Sequence, residues 1–179
     1  MTDAELALAL RKVALLEGHF TLRSGRTSNY YLDKYLFETQ PDLLRELGQR
    51  FASHVSDTTD RIAGAELGGI TLAAATSLET GKPFVIVRNS KKAGYGTGKL
   101  IEGKLEKGEH VILVEDVCTS GGQAIEACKT LQNAGAVVTG VVVTIDRLEG
   151  GREAIENAGL NFKALFTTRD LGVGGTDEG

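Results

Sequence analysis

Residues Val111 to Ala124 read V-I-L-V-E-D-V-C-T-S-G-G-Q-A, and the order of residue types here constrains the fold more than any other stretch. Val111 to Val114 form a short apolar run suited to a strand buried on both faces of a parallel sheet. The carboxylates Glu115 and Asp116 follow, where such a strand should end. Thr119, Ser120, Gly121 and Gly122 then make a turn, and a helical pattern begins near Gln123. Ligands of open α/β sheets bind just outside the carboxyl ends of the strands. A hydroxyl- and glycine-rich turn opening a helix offers free backbone N–H groups and a positive dipole end, which suits a phosphate. The acid pair repels phosphate; it suits a hydroxylated sugar, a hydrated Mg²⁺ or a developing positive charge. Together these groups describe a site for a ribose phosphate. The plainer reading is a strand-turn-helix with a solvated acidic corner, and the unbroken order of acids, hydroxyls and glycines weighs against it. The stretch lacks the Gly-Lys-Ser/Thr of a Walker A loop and the G-x-G-x-x-G of a dinucleotide fingerprint.

The surrounding pattern agrees with one α/β domain. Strand-like runs at Arg61–Ala65, Phe84–Val87, Val111–Val114, Val137–Ile145 and Phe162–Phe166 alternate with helical stretches. The latter are an Ala-rich one to Thr80, one carrying Ile125, Cys128 and Leu131, and a short one from Ala154 to Asn157. That alternation predicts a parallel sheet flanked by helices over 61–171. Ahead of it, Leu6, Leu10, Val13 and Leu16 predict a helix stopped at Gly18. Phe20–Leu22 and Tyr30–Leu36 read as strands, and Thr39 is placed to cap a helix after Pro41. Residues 1–60 thus read as a small hood on a single domain spanning 1–179. A net charge of −4 argues against a general nucleic-acid or anionic-membrane surface. No apolar run approaches a membrane span and no secretory pattern opens the chain. Cys118 and Cys128 are the only cysteines, so reduced thiols and a cytoplasmic location are expected.

From Arg88 to Lys99 the chain reads R-N-S-K-K-A-G-Y-G-T-G-K, with four cations, no carboxylate and three glycines. Cations without acids beside them remain available for phosphate. The segment leaves a strand on the face where the Glu115-Asp116 turn is expected, so it reads as a lid over a polyanion rather than a solvated connector.

These segments resemble the type I phosphoribosyltransferases and, within them, the orotate phosphoribosyltransferases. Val111 to Gln123 is similar to the group's ribose-phosphate signature, with Glu115 in the first acidic place. Phe20 to Arg26 (F-T-L-R-S-G-R), Tyr95 to Gly103 (Y-G-T-G-K-L-I-E-G) and Asp146-Arg147 with Gly150-Gly151 resemble segments of the orotate enzymes. The similarity runs from about Phe20 to Leu171. It implies a type I phosphoribosyltransferase-like parallel sheet with a small N-terminal hood. It also implies a Mg²⁺-dependent transfer from phosphoribosyl pyrophosphate to orotate, the metal held through substrate and water rather than by direct protein ligands. By that resemblance Glu115, Asp116 and Lys92 serve the chemistry. Arg88, Lys91, Lys92 and Tyr95 meet phosphoribosyl pyrophosphate, as do Val117, Cys118, Thr119, Ser120, Gly121, Gly122 and Gln123. Arg23, Tyr31, Leu32, Thr119 and Arg147 face orotate, with Arg147 opposite its carboxylate. A homodimer with loops shared between sites, and no nucleic-acid or membrane partner, follows from the same likeness.

The chain also departs from the family pattern. Asn89 stands where a Lys is usual, and Leu67-Gly68 replaces a Tyr-Lys pair. Aligned from Arg88, Lys92 holds the main loop cation and one residue is inserted near Gly94; aligned from Tyr95, Ala93 holds that place. The first alignment is preferred, because a loop tolerates an extra residue more readily than the loss of its key cation. Three rival functions remain at this point: a phosphoribosyltransferase for another base, a non-catalytic sensor of phosphoribosyl pyrophosphate, and a generic sugar-phosphate-binding protein.

Overall fold

A computed structural model gives the fold and describes residues 1–21, 27–90 and 99–173. The chain runs α1 (Asp3–Ala14), β1 (Leu15–Thr21), β2 (Thr27–Leu32), α2 (Lys34–Glu38), α3 (Pro41–Ala52), β3 (Arg61–Ala65) and α4 (Gly68–Thr80). It continues through β4 (Phe84–Val87), β5 (Ile101–Glu102), β6 (His110–Cys118), α5 (Gly122–Asn133), β7 (Val137–Asp146), α6 (Gly151–Asn157) and β8 (Phe162–Thr167). The main sheet has the order β5-β4-β3-β6-β7-β8, parallel except for β5, which pairs antiparallel with β4. After β3 the chain adds β4 on one side, then returns to add β6, β7 and β8 on the other. The crevice at the carboxyl ends of β3 and β6 is therefore the switch point where such sheets take ligands.

Strand alternation divides the core into two layers. Ile62, Ile112, Val114, Val142 and Ile145 pack with α1, α3, α4 and the hood residue Phe37. Ala63, Leu113 and Val143 face the other way, against Cys128 and Leu131 of α5 and Ile155 of α6. Arg61 at the start of β3 grips Glu109 through Nε (2.8 Å) and Nη2 (2.5 Å), which fixes β3 beside β6. The strongly apolar central strands and the helix stripes account for this arrangement.

The hood differs from the sequence expectation in several places. Helix α1 stops at Ala14, and Leu15, Leu16 and Gly18 belong to β1, because Leu15 and Leu16 pair with Leu32 and Tyr31. The run Tyr30–Leu36 is not one strand. Asp33 accepts the Tyr35 N–H on its side chain (3.1 Å) and opens the five-residue helix α2. Thr39 does not cap the next helix; its hydroxyl donates back to the Tyr35 carbonyl (2.7 Å). Gln40 stands at that cap with no side-chain hydrogen bond, and Pro41 begins α3 with φ already suited to a helix. In the core, β6 runs on through both acids to Cys118, because β7 pairs with it as far as Asp146. Helix α6 begins three residues earlier than expected, at Gly151.

Candidate active site

Residues 119–121 connect β6 to α5, and their shape follows from two glycines. Gly121 has φ +76°, a conformation that costs a side-chain-bearing residue energy. A Cβ at Gly151 would overlap Cys118 Sγ and stand 2.6 Å from the Thr119 carbonyl, so the turn lies directly on the first residue of α6. Helix α5 then starts at Gly122 with no side chain capping it, which leaves its first N–H groups available to an anion.

Arg147 reaches the same place from β7. Its N–H donates to the Cys118 carbonyl (2.9 Å). Buried Asp146 accepts the Leu148 N–H (2.9 Å) and so helps to hold Leu148 at φ +60°. The guanidinium Nε lies 2.9 Å from Glu149 Oε1. A cavity of about 570 Å³ collects these groups: Thr21 and Tyr31 of the hood, Glu115, Val117, Cys118, Thr119, Ser120, Gly121, Gln123, Ala124, Val143, Arg147 and Glu149. Gln123 also ties the site's rim together. Its Nε2 donates to the Glu66 carbonyl (3.0 Å) and to Asn89 Oδ1 (3.3 Å). Asn89 in turn donates its N–H to Glu66 Oε1 (2.6 Å) and its amide to the Glu66 carbonyl (3.0 Å). An amide at position 89 both gives and accepts in this network, which a lysine could not do.

The two acids diverge, since adjacent strand residues point to opposite faces. Glu115 is 7% exposed and lines the cavity. Its Oε2 accepts the Asp116 N–H (3.3 Å), while Oε1 has no partner among the described residues. Burial, and then the neighbouring Asp116 charge, push its carboxyl up to about 8. Asp116, only 2% exposed, turns toward the hood, where Lys34 Nζ meets Oδ2 at 2.7 Å. Burial works against the Lys34 charge, but Asp116 outweighs it and raises the ammonium above its ordinary range. Glu38, buried beside them, is pushed up to about 8 by burial and by Asp116. Cys118 and Cys128 are buried thiols raised to about 12, chiefly by burial.

Nine of the anticipated residues therefore share one cavity: Tyr31, Glu115, Val117, Cys118, Thr119, Ser120, Gly121, Gln123 and Arg147. Gly122 is the first residue of α5, at the end of the turn. Asp116 sits behind the cavity wall, and Leu32 lies in the hood-side core with Leu6 and Leu10 rather than beside Tyr31 in the cavity. Arg88 leans toward Glu102 (3.9 Å). Arg23, Lys91, Lys92 and Tyr95 lie outside the described residues. Lys34, Glu38 and Glu149 carry no mark in the anticipated pattern. Their only sequence signal was Asp33 as a helix cap, which sets Lys34 and Glu38 one turn apart, and the closeness of Glu149 to Arg147.

A family model for the phosphoribosyl transferase domain matches residues 37–159. The orotate phosphoribosyltransferase of Methanocella arvoryzae is 47% identical over 170 residues, covering 94% of this chain and 97% of the relative. The chain belongs to the orotate phosphoribosyltransferase family. The family's fold is shared too. The Mycobacterium tuberculosis H37Rv orotate phosphoribosyltransferase in complex with Fe(III) dicitrate superposes with a TM-score of 0.86 at 33% identity, over 96% of this chain and 99% of that one. The same enzyme in complex with 5-phospho-alpha-D-ribosyl 1-diphosphate (PRPP) gives 0.77 at 31% identity, over 96% and 99%. The expectation of a parallel, helix-flanked type I sheet with a hood holds except at one edge, where β5 runs antiparallel.

Proposed function

We propose that this protein transfers the phosphoribosyl group of PRPP to orotate, giving orotidine 5′-monophosphate and pyrophosphate, as a step of pyrimidine biosynthesis. The observation that carries the reading is the convergence of Arg147, Glu115 and the uncapped start of α5 on one cavity. Backbone N–H groups of Thr119 to Gln123 hold the 5′-phosphate at the positive end of α5. The Arg147 guanidinium meets the carboxylate of orotate, a pairing in which two parallel N–H bonds fix the ring's orientation. The unpartnered oxygen of Glu115 accepts a hydrogen bond from a ribose hydroxyl, and the carboxyl stands where it can ionise as cationic character develops at the sugar and pyrophosphate departs.

The residues present fit Mg²⁺ held largely by substrate. On the cavity wall Glu115 offers an oxygen without a partner among the described residues. Mg²⁺ keeps several waters and binds through one or two carboxylates plus substrate phosphates. When bound, it supplies neutralisation of the charge growing on pyrophosphate. The loop cations Lys91 and Lys92 and the hood cation Arg23 belong to the same proposal, as do a homodimer with shared sites and a cytoplasmic location. No helix among the described residues is long and apolar enough to cross a membrane. The test is to mix the protein with orotate, PRPP and Mg²⁺: orotate absorbance should fall as pyrophosphate is released, and chelation should stop the reaction. Turnover of hypoxanthine or uracil with orotate untouched would sink the assignment.

A further inference from the structure

We propose that Lys34 and Glu38 of the hood helix α2 are positioning residues: they fix Asp116 and, through it, the strand end that leads into the phosphate turn. This rests on the reading of Thr119 to Gln123 as the seat of a ribose phosphate. Asp116 is almost wholly buried, and a carboxylate removed from water needs partners on its oxygens. Lys34 Nζ sits on Oδ2 at 2.7 Å, and Oδ1 accepts the Val117 N–H at 2.5 Å. Glu38 lies beside them, since a single Cβ position at Gly68 would meet both Asp116 Oδ2 and Glu38 Oε1. Its Oε1 has no donor among the described residues, so a proton on Glu38 turns its approach to Asp116 into a hydrogen bond.

The space for this arrangement comes from Gly68. A Cβ there would overlap Asp116 Oδ2 and stand 2.5 Å from Glu38 Oε1. Three elements distant in sequence, α2, the start of α4 and β6, are thus shaped around one carboxylate. Because Asp116 bonds the Val117 N–H, its orientation is relayed to the residues immediately before Thr119. The i and i+4 spacing of Lys34 and Glu38 puts both on one face of α2, so a shift of the hood moves both holds together.

The test uses the full chain, with PRPP and Mg²⁺ as the calorimetric probe and orotate turnover as the second readout. Lys34→Met is expected to weaken PRPP binding and lower kcat, each by roughly tenfold, within the range seen for members of one hydrogen-bonded network. Lys34→Arg should recover most of both, since the charge is kept at a partly exposed position. Wild-type PRPP affinity and kcat in Lys34→Met, whatever its melting temperature, would overturn the proposal. Should Lys34→Met fail to fold, Glu38 provides the comparison. Glu38→Gln donates to Asp116 at every pH and should keep PRPP affinity within about twofold, whereas Glu38→Leu should lose roughly tenfold. Equal behaviour of those two variants also overturns it. A wild-type protein that binds PRPP yet ignores orotate would sink the base assignment alone, because the positioning test is read in PRPP binding.

Discussion

Arg147 does not wait empty for its ligand. Its Nε is 2.9 Å from Glu149 Oε1, inside the proposed orotate site, with the two side chains 15% and 31% exposed. Glu149 thus stands where an incoming carboxylate would bind. The gross attraction of unit charges about 4 Å apart runs from about 1 kcal/mol in water to about 4 at an effective dielectric of 20. For a pair this accessible, solvent screening and side-chain entropy leave roughly 0.5–1 kcal/mol. A ligand carboxylate must overcome that hold and the repulsion of a second carboxylate. Glu149→Gln should therefore tighten carboxylate binding by about three- to tenfold, or roughly 0.7–1.4 kcal/mol. Calorimetry with orotidine 5′-monophosphate and uridine 5′-monophosphate separates this from general effects, because only the first carries the carboxylate. Glu149→Gln should raise the affinity ratio of the two, with the gain shrinking at high salt. Arg147→Ala should collapse the ratio, at roughly 2–5 kcal/mol for the lost charge pair. An unchanged ratio in Glu149→Gln would refute the idea that Glu149 competes for Arg147, and an unchanged ratio in Arg147→Ala would refute its role in reading the carboxylate.

The packing of the phosphate turn predicts that Gly151→Ala pushes Cys118 and the Thr119 carbonyl away, weakening PRPP binding and lowering stability by about 1–3 kcal/mol; chemical denaturation and calorimetry on the same variant check both. The buried carboxyls predict a stability that falls with rising pH. Glu38 and Glu115 titrate near 8 in the fold against an ordinary 4.5, so between those values the folded chain binds more protons than the unfolded one, and stability is lost as pH rises through about 8. Melting temperatures of the ligand-free protein should fall from pH 6 to pH 9, less steeply in Glu38→Gln; an equal slope in both would show that Glu38 is not one of the groups responsible.

The core strands were legible because each carries an apolar run, and Val111 to Val114 identified a central one. The turn between β6 and α5 was legible because small and hydroxylated residues in an unbroken order mark a tight connection, and Gly121 at φ +76° lies within it. The hood was harder. A five-residue helix such as α2 spans little more than one turn and leaves no periodicity, so Tyr30–Leu36 reads as a strand unless Asp33 is taken as a cap. Strand β5 has two residues and no pattern at all. Tyr31 and Leu32 are adjacent in a strand, so the pleat alone forbids both from facing one ligand; Tyr31 takes the cavity and Leu32 the core.

The same pleat explains why one pair of acids has two characters. Both lie within β6, so Glu115 and Asp116 must leave it on opposite faces. Glu115 keeps an oxygen without a partner among the described residues and opens on the cavity. Asp116 is held by Lys34 and by the Val117 N–H on the hood side, with Glu38 beside it. Reading the pair as two equivalent ribose ligands would miss this division. A negative charge held by a cation is available chiefly as structure, while a carboxyl that burial keeps near neutrality gains its charge most readily when positive charge arrives beside it. On the proposed reaction, Glu115 would be the group that answers a developing cation, and Asp116 the anchor that joins the hood to the strand presenting it.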